Sequence, residues 1–367
     1  RRQRQMCIRD SIIFVQPAVL SQAGMDFGAV MTATCLASFI AIFLMGIIAN
    51  YPIALAPAMG ENFFFVFVIV FAHKFSWEIA LTAVLIEGFL FLLLTFAKIR
   101  EIIINAIPSS LKHGMAIGIG LFIAFIGLKW SGIIQTNPAT SVSLGNINSI
   151  PVLVSVVGLF ITVALIAKRV RGALLLGIFT TTIIALLTGV TKFYGFISPP
   201  PSLSPVFFKF DFSKIFNFDF LIIIIILLYM DIFDTIGTII GVADQGGFLK
   251  NDKLPGAGKV LFVDALGTSI GAVCGTSTVS SYIESNAGVA EGGRTGFSNI
   301  ITAFLFLLSM FFYPLVKTIG YGYEIEKGVF LYPVIAPALI IVGFLMLKNI
   351  TKLNFSDFEE TIPAYLT

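Results

Sequence analysis

Long apolar runs with few charges constrain this chain more than any other feature of its sequence. Of its 367 residues, 57% are hydrophobic and 12% are charged, whereas about 25% are charged in a soluble domain. About 17–25 apolar residues suffice to cross a bilayer as a helix. We therefore predict an all-α polytopic membrane protein with a half-length stub at 11–20 and spans at 28–49, 54–71, 77–96, 113–129, 150–167, 172–190, 218–243, 259–274, 276–291, 296–316 and 328–347.

Two acidic residues, Asp231 and Asp234, lie inside the apolar run at 218–243. A charge at that depth costs at least ~2.5–3.5 kcal/mol, so a carboxylate there indicates a functional site. Together with Thr235 and Thr238 these acids recur at spacings of three and four, which predicts one shared helix face. A polar face on a helix of Ile, Leu and Met is typical of a helix that lines a solute path.

Two other apolar segments, 54–63 and 274–285, are interrupted by Pro, Gly or a Ser/Thr run and then present an acid. Each is the third apolar segment of its half of the chain. Paired interrupted segments in equivalent positions are the best sequence indication of a transporter binding site. Half-helices that begin there also direct N–H groups at a ligand. The polar residues so presented are Glu61, Asn62, Thr276, Ser277, Thr278 and Glu284.

The polar residues in the spans have structural alternatives as well as functional ones. Thr276, Ser277 and Thr278 can bond to their own backbone instead of to a ligand. Glu87 and Asp264 are single acids within spans, where each either braces helices or takes part in transport. A carboxylate in a low-dielectric interior takes up a proton more readily, and it accepts hydrogen bonds from the planar N–H edge of a base. Phe233 and the aromatic residues 63–65 are candidates for stacking on a flat ring.

Several classes of function lack support in the sequence. It contains no Walker A sequence, no metal-ligand cluster, no nucleophile–His–Asp pattern and no Rossmann glycine pattern, so we expect neither an enzyme nor a cofactor. The net charge of +3 is small and spread over loops, which gives no argument for nucleic acid.

The Pro-rich stretch 197–217 divides the chain into two parts. We expect a non-native leader at 1–10, a first repeat at 11–196 whose first span is incomplete, and a second repeat at 218–367 without its last two spans. Lys and Arg are more frequent in the loops on the side of 97–112, which predicts that this side is cytoplasmic and that 197–217 is extracellular.

Three motifs, 50–64, 231–238 and 275–296, resemble the AzgA-like adenine/guanine/hypoxanthine permeases of the nucleobase–cation symporter-2 (xanthine/uracil permease) superfamily. The resemblance implies two inverted repeats of seven spans, with a core domain of spans 1–4 and 8–11 that moves against a gate domain. The third and tenth spans would each be half strand and half helix. Glu61 departs from the family motif, which usually has an apolar residue there, and the short second repeat puts a closed gate domain in doubt.

The same resemblance implies proton-coupled purine uptake, with the proton as coupling ion. The residues expected at the substrate are Asp231, Glu284, Asn62, Thr276, Ser277 and Thr278. Those expected to support the site or couple protons are Asp234, Glu61 and Asp264. We expect a bacterial inner membrane, lipid and a purine base as partners, and a homodimer as a possible assembly. The alternatives are an anion or other small-solute transporter with Arg294 as its basic residue, a membrane scaffold or receptor, and a transport-incompetent fragment.

Overall fold

The computed structural model describes residues 8–97, 109–170, 172–248, 254–283, 285–326, 329–353, 361–363 and 365. Its α-helices are α1 (Ile8–Gln22), α2 (Phe27–Leu44), α3 (Met59–Phe63), α4 (Trp77–Phe96), α5 (Ser109–Trp130), α6 (Ile150–Ala167), α7 (Ala173–Leu187), α8 (Phe218–Gly246), α9 (Ala257–Cys274), α10 (Ser285–Ala290), α11 (Gly296–Ser309), α12 (Tyr313–Gly320) and α13 (Ala336–Met346). π-helical turns extend α2 over Met45–Ala49 and α3 over Phe64–Ala72. Its strands are β1 (Leu55–Pro57), β2 (Ile134–Asn137), β3 (Ser141–Leu144), β4 (Val279–Ser281), β5 (Tyr323–Glu326) and β6 (Val329–Leu331).

The apolar helices confirm a polytopic membrane protein. Within the described ranges, seven helices are long and apolar enough to cross a membrane: Phe27–Ala49, Trp77–Phe96, His113–Trp130, Ile150–Ala167, Phe218–Gly246, Ala257–Cys274 and Gly296–Gly320. Shorter apolar helices are Ile12–Gln22, Met59–Ala72, Ala173–Leu187 and Ala336–Met346. The stub at 11–20 lies within α1. The predicted spans 54–71, 172–190 and 328–347 contain shorter apolar helices, and 276–291 contains none of these long or shorter apolar helices.

The predicted span at 328–347 is wrong in its first part. β6 pairs with β5 in an antiparallel hairpin, and α13 begins only at Ala336. Pro333 explains the late start, because proline has no N–H to donate and drives the preceding residue into extended conformations. That residue, Tyr332, donates its N–H to the carbonyl of Trp130 at 2.9 Å, which fixes this stretch against the end of α5.

The helices pack in two groups. In one group, α4 packs against α8 and α9, α2 packs against α9 and α11, and α1 packs against α2. In the other, α5 packs against α13, and α6 packs against α7 and α13. These groups correspond to the core and gate domains that the resemblance implies.

The two interrupted segments cross inside the first group. β1 and β4 form a two-stranded antiparallel sheet, and α3 and α10 follow the two strands. At the ends of this sheet, Ala58 N–H donates to the carbonyl of Thr278 at 3.0 Å, and Tyr282 N–H donates to that of Ala54 at 2.9 Å. Extended backbone at membrane depth is tolerated only where protein satisfies its polar groups. The prediction that the third and tenth spans are each half strand and half helix is thus confirmed. The strands occur as a pair because each satisfies polar backbone groups of the other.

Two residues with positive φ end the helices that lead into this crossing. Asn50, with φ of 55°, follows the π-helical end of α2. Gly275, with φ of 94°, follows α9 and returns its N–H to the carbonyls of Gly271 and Ala272. Glycine is favoured at such a position because it has no Cβ.

Candidate functional site

A hydroxyl on α8 links the acids of two helices. Asp231, Thr235 and Asp264 are fully buried. The Oγ1 atom of Thr235 lies 3.2 Å from Oδ1 of Asp231 and 2.7 Å from Oδ2 of Asp264. Thr268, one turn beyond Asp264 on α9, donates to the carbonyl of Val279 at 2.9 Å. Asp231 and Asp264 therefore lie together against the start of β4.

The hydroxyls around β4 each contact an acid from a different helix. Ser280 Oγ donates to Oδ2 of Asp234 on α8 at 3.1 Å. Ser281 Oγ donates to Oδ1 of Asp264 on α9 at 2.7 Å. Thr278 Oγ1 donates to Oε2 of Glu87 on α4 at 2.8 Å. The second interrupted segment thus connects three helices of the core through neutral donors. Ser280 and Ser281 were not among the predicted site residues, although they belong to the Ser/Thr run that marked this segment.

Gln16 on α1 joins the two interrupted segments, and sequence reasoning missed it. Its Nε2 lies 2.9 Å from Oγ1 of Thr276 and 2.8 Å from Oγ of Ser277. Its Oε1 accepts from Nδ2 of Asn62 at 2.5 Å. All four side chains are fully buried. The available signal was a lone amide in an apolar segment, one residue before Pro17.

Three buried oxygens near the crossing have no hydrogen-bond partner in the described part of the chain. They are Oε1 of Glu61, Oδ1 of Asn62 and Oε1 of Glu87. Glu61 also lies close enough to Asp234, Glu87 and Asp264 to interact with them electrostatically. Buried polar atoms are nearly always hydrogen-bonded. An acceptor left unpaired at this place can take a hydrogen bond from a ligand N–H or from an added proton.

The structure brings most of the predicted site residues to the crossing. Thr276, Ser277 and Thr278 are fully buried, as are Asn62, Asp231 and Asp264, and Glu61 is 2% exposed. Glu284 lies outside the described residues. Asp234 is more exposed than Asp231, Thr235 and Thr238. The Ser280 hydroxyl that contacts Asp234 also lies 3.2 Å from Oγ1 of Thr235, so Asp234 lies on the predicted face. Its contact with Ser280 places its carboxylate at the edge of the cluster.

The predicted stacking role of residues 63–65 is not supported by their packing. Phe63 and Phe65 are fully buried in the hydrophobic core. The ring of Phe63 packs edge-on against Trp130 and Phe122 of α5, with centroids 5.9 and 6.4 Å apart. The Phe63 ring thus holds α3 against α5, and both buried rings are occupied by protein contacts.

Arg294, the basic residue considered for an anion site, lies elsewhere. It is exposed, and its Nη1 donates to the carbonyl of Gly246 at 2.8 Å. That carbonyl ends α8, where a cation is favoured by the free carbonyls and the helix dipole. The interaction gives Arg294 a structural role at the end of a helix.

Comparisons with known proteins agree with this architecture. The family model Xan_ur_permease, described as "Permease family", matches residues 6–367. The guanine/hypoxanthine permease PbuG of Bacillus subtilis is 44% identical over 97% of this chain and 81% of its own length. The adenine permease AdeP of Escherichia coli is 39% identical over 97% of this chain and 78% of its own.

A solved structure shows the same fold at low identity. The transmembrane domain of the cyanobacterial bicarbonate transporter BicA matches with a TM-score of 0.65 and 16% identity, over 99% of this chain and 94% of that one. At that identity the likeness concerns the inverted-repeat fold alone. The family match and the relatives together show that this chain, a membrane transporter and not an enzyme, belongs to the Xan_ur_permease family of permeases.

Proposed function

We propose that this permease carries purine nucleobases across the cytoplasmic membrane together with protons. The observation that carries the proposal is the crossing of two broken spans, where Asp231, Asp264 and Glu87 are buried with hydroxyl partners. The names of the relatives, which are guanine/hypoxanthine and adenine permeases, support a purine as the substrate class. Guanine, hypoxanthine and adenine are all candidates.

The acceptors at the crossing suit the N–H donors of a base. A carboxylate accepts several hydrogen bonds, and we assign Asp231 and Glu284 to the edge of the purine. Asn62 presents a buried Oδ1 without a partner. Gln16 fixes the Asn62 amide in this orientation, because its own Nε2 is engaged by Thr276 and Ser277 and only its Oε1 remains for Asn62. Asn62, Thr276, Ser277 and Thr278 then shape the site around the base.

The shared hydroxyl of Thr235 supports proton coupling. A hydroxyl carries one hydrogen, so it cannot donate to Asp231 and Asp264 at the same time. The second contact becomes a hydrogen bond when one of the two carboxyls is protonated and donates to the hydroxyl oxygen. We assign Asp264, with Asp234 and Glu61 nearby, to holding and moving the coupling proton.

Thermal stabilisation of the purified protein by bases tests the binding part of this proposal. A ligand that binds the folded state at about 100 times its Kd stabilises it by about 2.7 kcal/mol. We expect a higher Tm with at least one of guanine, hypoxanthine and adenine, and loss of that shift in Asp231→Asn and Glu284→Gln. Asp219→Asn is the matched control, because Asp219 lies on the same helix and is exposed.

The alternative functions predict different results in this assay. Stabilisation by bicarbonate or another small anion, without any response to bases, would favour an anion transporter. No response to any solute would favour a scaffold. A response to bases that persists in Asp231→Asn would remove Asp231 from the site.

Three further proposals concern the setting of the transporter. We propose that the 97–112 side is cytoplasmic, which leaves 197–217 on the outer face, and that the chain lies in a bacterial inner membrane. The Lys and Arg distribution supports the orientation. Labelling of a cysteine introduced at exposed Ser202 in intact cells tests the orientation.

We also propose a homodimer formed through the gate domain. The molar mass of the purified protein in detergent tests the dimer.

A further inference from the structure

The segment 206–216, which leads into α8, carries a row of exposed phenylalanine rings. Phe208, Phe212 and Phe216 are 65%, 51% and 96% exposed. Phe210, between them, packs instead against the hydrophobic core. The segment is therefore apolar on both sides, and the protein covers only one of them.

The backbone of this segment is tied to two helices of the core group. Phe208 N–H donates to the carbonyl of Val273 near the end of α9 at 2.9 Å. Asp211 N–H donates to Oγ1 of Thr82 on α4 at 2.9 Å. Irregular backbone at membrane depth is tolerated only where protein satisfies its polar groups. These bonds hold the rings in a fixed place and allow the segment to lie below the membrane surface.

The contacts of the segment place it below the ends of the helices. Thr82 lies five residues after Trp77, the first residue of α4, which is roughly 7 Å deeper along a helix. Tryptophan is enriched at the membrane–water interface. On α2, Thr32 likewise lies five residues after the first residue, Phe27, and donates to the carbonyl of Pro201 at 3.0 Å. The segment thus lies near the boundary between lipid headgroups and acyl chains.

The conformation of Phe208 also indicates a function for its ring. Its φ is 55°, which is a genuine outlier for a bulky residue. Strain of this kind persists only where the surroundings impose it, and it is a reason to look for a function. Gly or Asn adopts this conformation at lower cost. The core does not need the Phe208 ring, which lies edge-on to Phe210 with centroids 5.1 Å apart.

Two lysines lie among the exposed rings. Lys209 and Lys214 are both exposed. Asp211 is the one acid of the segment, and its Oδ1 accepts from the N–H of Ser213 at 2.8 Å. Two bases against one acid give the segment a net positive charge, which suits the phosphates of a lipid surface.

We propose that residues 206–216 form an interfacial anchor that binds phospholipid in the leaflet on their own side of the membrane. The rings of Phe208, Phe212 and Phe216 enter the lipid below the headgroups, and Lys209 and Lys214 extend to the phosphates. Surface segments with an apolar and a basic side are buried about 5–10 Å into this boundary.

The rings also continue the lipid-facing side of a span. Phe218 and Leu221 are exposed on α8, a helix long and apolar enough to cross the membrane. Exposed apolar patches mark contact with either a protein or a membrane. The membrane is the partner here, because lipid must cover the neighbouring face of α8 and the same surface continues to Phe216.

Fluorescence quenching by brominated phospholipids tests the anchor. Trp77→Phe and Trp130→Phe remove both tryptophans of the chain, and Phe208→Trp then provides a single reporter among the rings. We expect lipid brominated near the headgroup to quench this emission more strongly than lipid brominated at the chain ends, and aqueous iodide to quench it little. Phe216→Trp is a second reporter, with the same expectation, in case Phe208→Trp does not fold.

Two matched reporters in the same tryptophan-free protein are the controls. Ile225→Trp, at an exposed position of α8, should be quenched by brominated lipid, and Ala139→Trp, in the turn between β2 and β3, should be quenched by iodide. An anchor reporter that responds to iodide alone would overturn the proposal, because the rings would then face water. A reporter that responds to neither quencher would overturn it as well, because protein such as a second copy would then cover the rings.

Lys209→Gln together with Lys214→Gln in the Phe216→Trp protein tests the contact with phosphates. A brominated anionic phospholipid is added as a minor component of a zwitterionic bilayer. We expect stronger quenching with the two lysines than without them, because positive charge enriches anionic lipid at the anchor. Equal quenching would overturn the assignment of the lysines to the headgroups. None of these measurements requires transport, so their outcome is independent of the proposed function.

Discussion

At the scale of single residues, the most important feature for proton coupling is that the buried acids have neutral hydroxyls as hydrogen-bond partners. Lys or Arg beside Asp264 or Glu87 would hold the carboxylate permanently ionised. Ser281, Thr235 and Thr278 can each donate to an ionised carboxylate or accept from a protonated one. These three contacts can therefore persist when the acid changes its protonation state, as a proton-coupled carrier requires.

Replacement of Gln16 by Leu tests the contact that joins both broken spans. Leucine has a similar size but cannot bond to Thr276, Ser277 or Asn62, so these buried groups lose a partner. The cost of a buried group left unsatisfied is about 1–3 kcal/mol, and we expect base affinity to fall by about 5–150-fold. Equilibrium binding of labelled base measures this change.

The control for this substitution is Gln245→Leu, since Gln245 lies near the end of α8 and is exposed. It should bind bases like the wild type. Unchanged affinity in Gln16→Leu would mean that Gln16 holds the broken spans together without influence on the ligand.

The acids and the hydroxyls of Thr235 and Thr278 were predictable from sequence, whereas the role of Gln16 was not. Asp231 and Asp264 stand out because an acid in an apolar run is costly. Gln16 carries no charge and lies 46 residues from Asn62 and 260 from Thr276 in the chain. Nothing in local periodicity predicts such a contact. Helical spacing predicted the face that Asp234 shares with Asp231 and Thr235, but spacing does not show how deeply each residue of a face is buried.

At the scale of secondary-structure elements, the fold depends on places where backbone is extended or helices approach closely. The interrupted segments were recognisable from Pro57, Gly60 and the Ser/Thr run, but their pairing as β1 and β4 is a long-range event. Strand β6 was predicted to be the start of a span, because its residues Val329–Leu331 are as apolar as a span. Short apolar runs do not distinguish strand from helix by periodicity.

Gly158→Leu tests the close packing of α6 on α7. A Cβ at Gly158 would overlap the side chain of Thr181, and one at Gly177 would overlap that of Thr162. Such overpacking costs about 1–3 kcal/mol, so we expect a lower Tm. Affinity for bases per folded molecule should persist, because the candidate site lies in the other helix group.

The matched control is Gly258→Leu on α9, where an added Cβ would meet nothing within 4 Å. Thermal unfolding followed by tryptophan fluorescence, together with base binding, separates the two effects. Equal Tm values for Gly158→Leu and the wild type would show that α6 and α7 can separate without cost.

At the scale of the whole molecule, two helix groups of different character lie side by side. The group with α1, α2, α4, α8, α9 and α11 contains the crossing and the acids, whereas α5, α6, α7 and α13 contribute apolar contacts. Phe63 and Trp130 form one of the contacts between them. This division suits a carrier in which one group moves against the other while the site stays intact.

Base uptake driven by a proton gradient tests the central claim most directly. The protein and its Asp231→Asn variant are reconstituted in proteoliposomes, and labelled guanine, hypoxanthine and adenine are offered with an inward proton gradient, with and without an uncoupler. We predict accumulation of at least one base above its external concentration, abolished by the uncoupler and by Asp231→Asn. Uptake that merely equilibrates the base and ignores the uncoupler, or no uptake of any of the three by folded protein, would contradict proton-coupled purine transport.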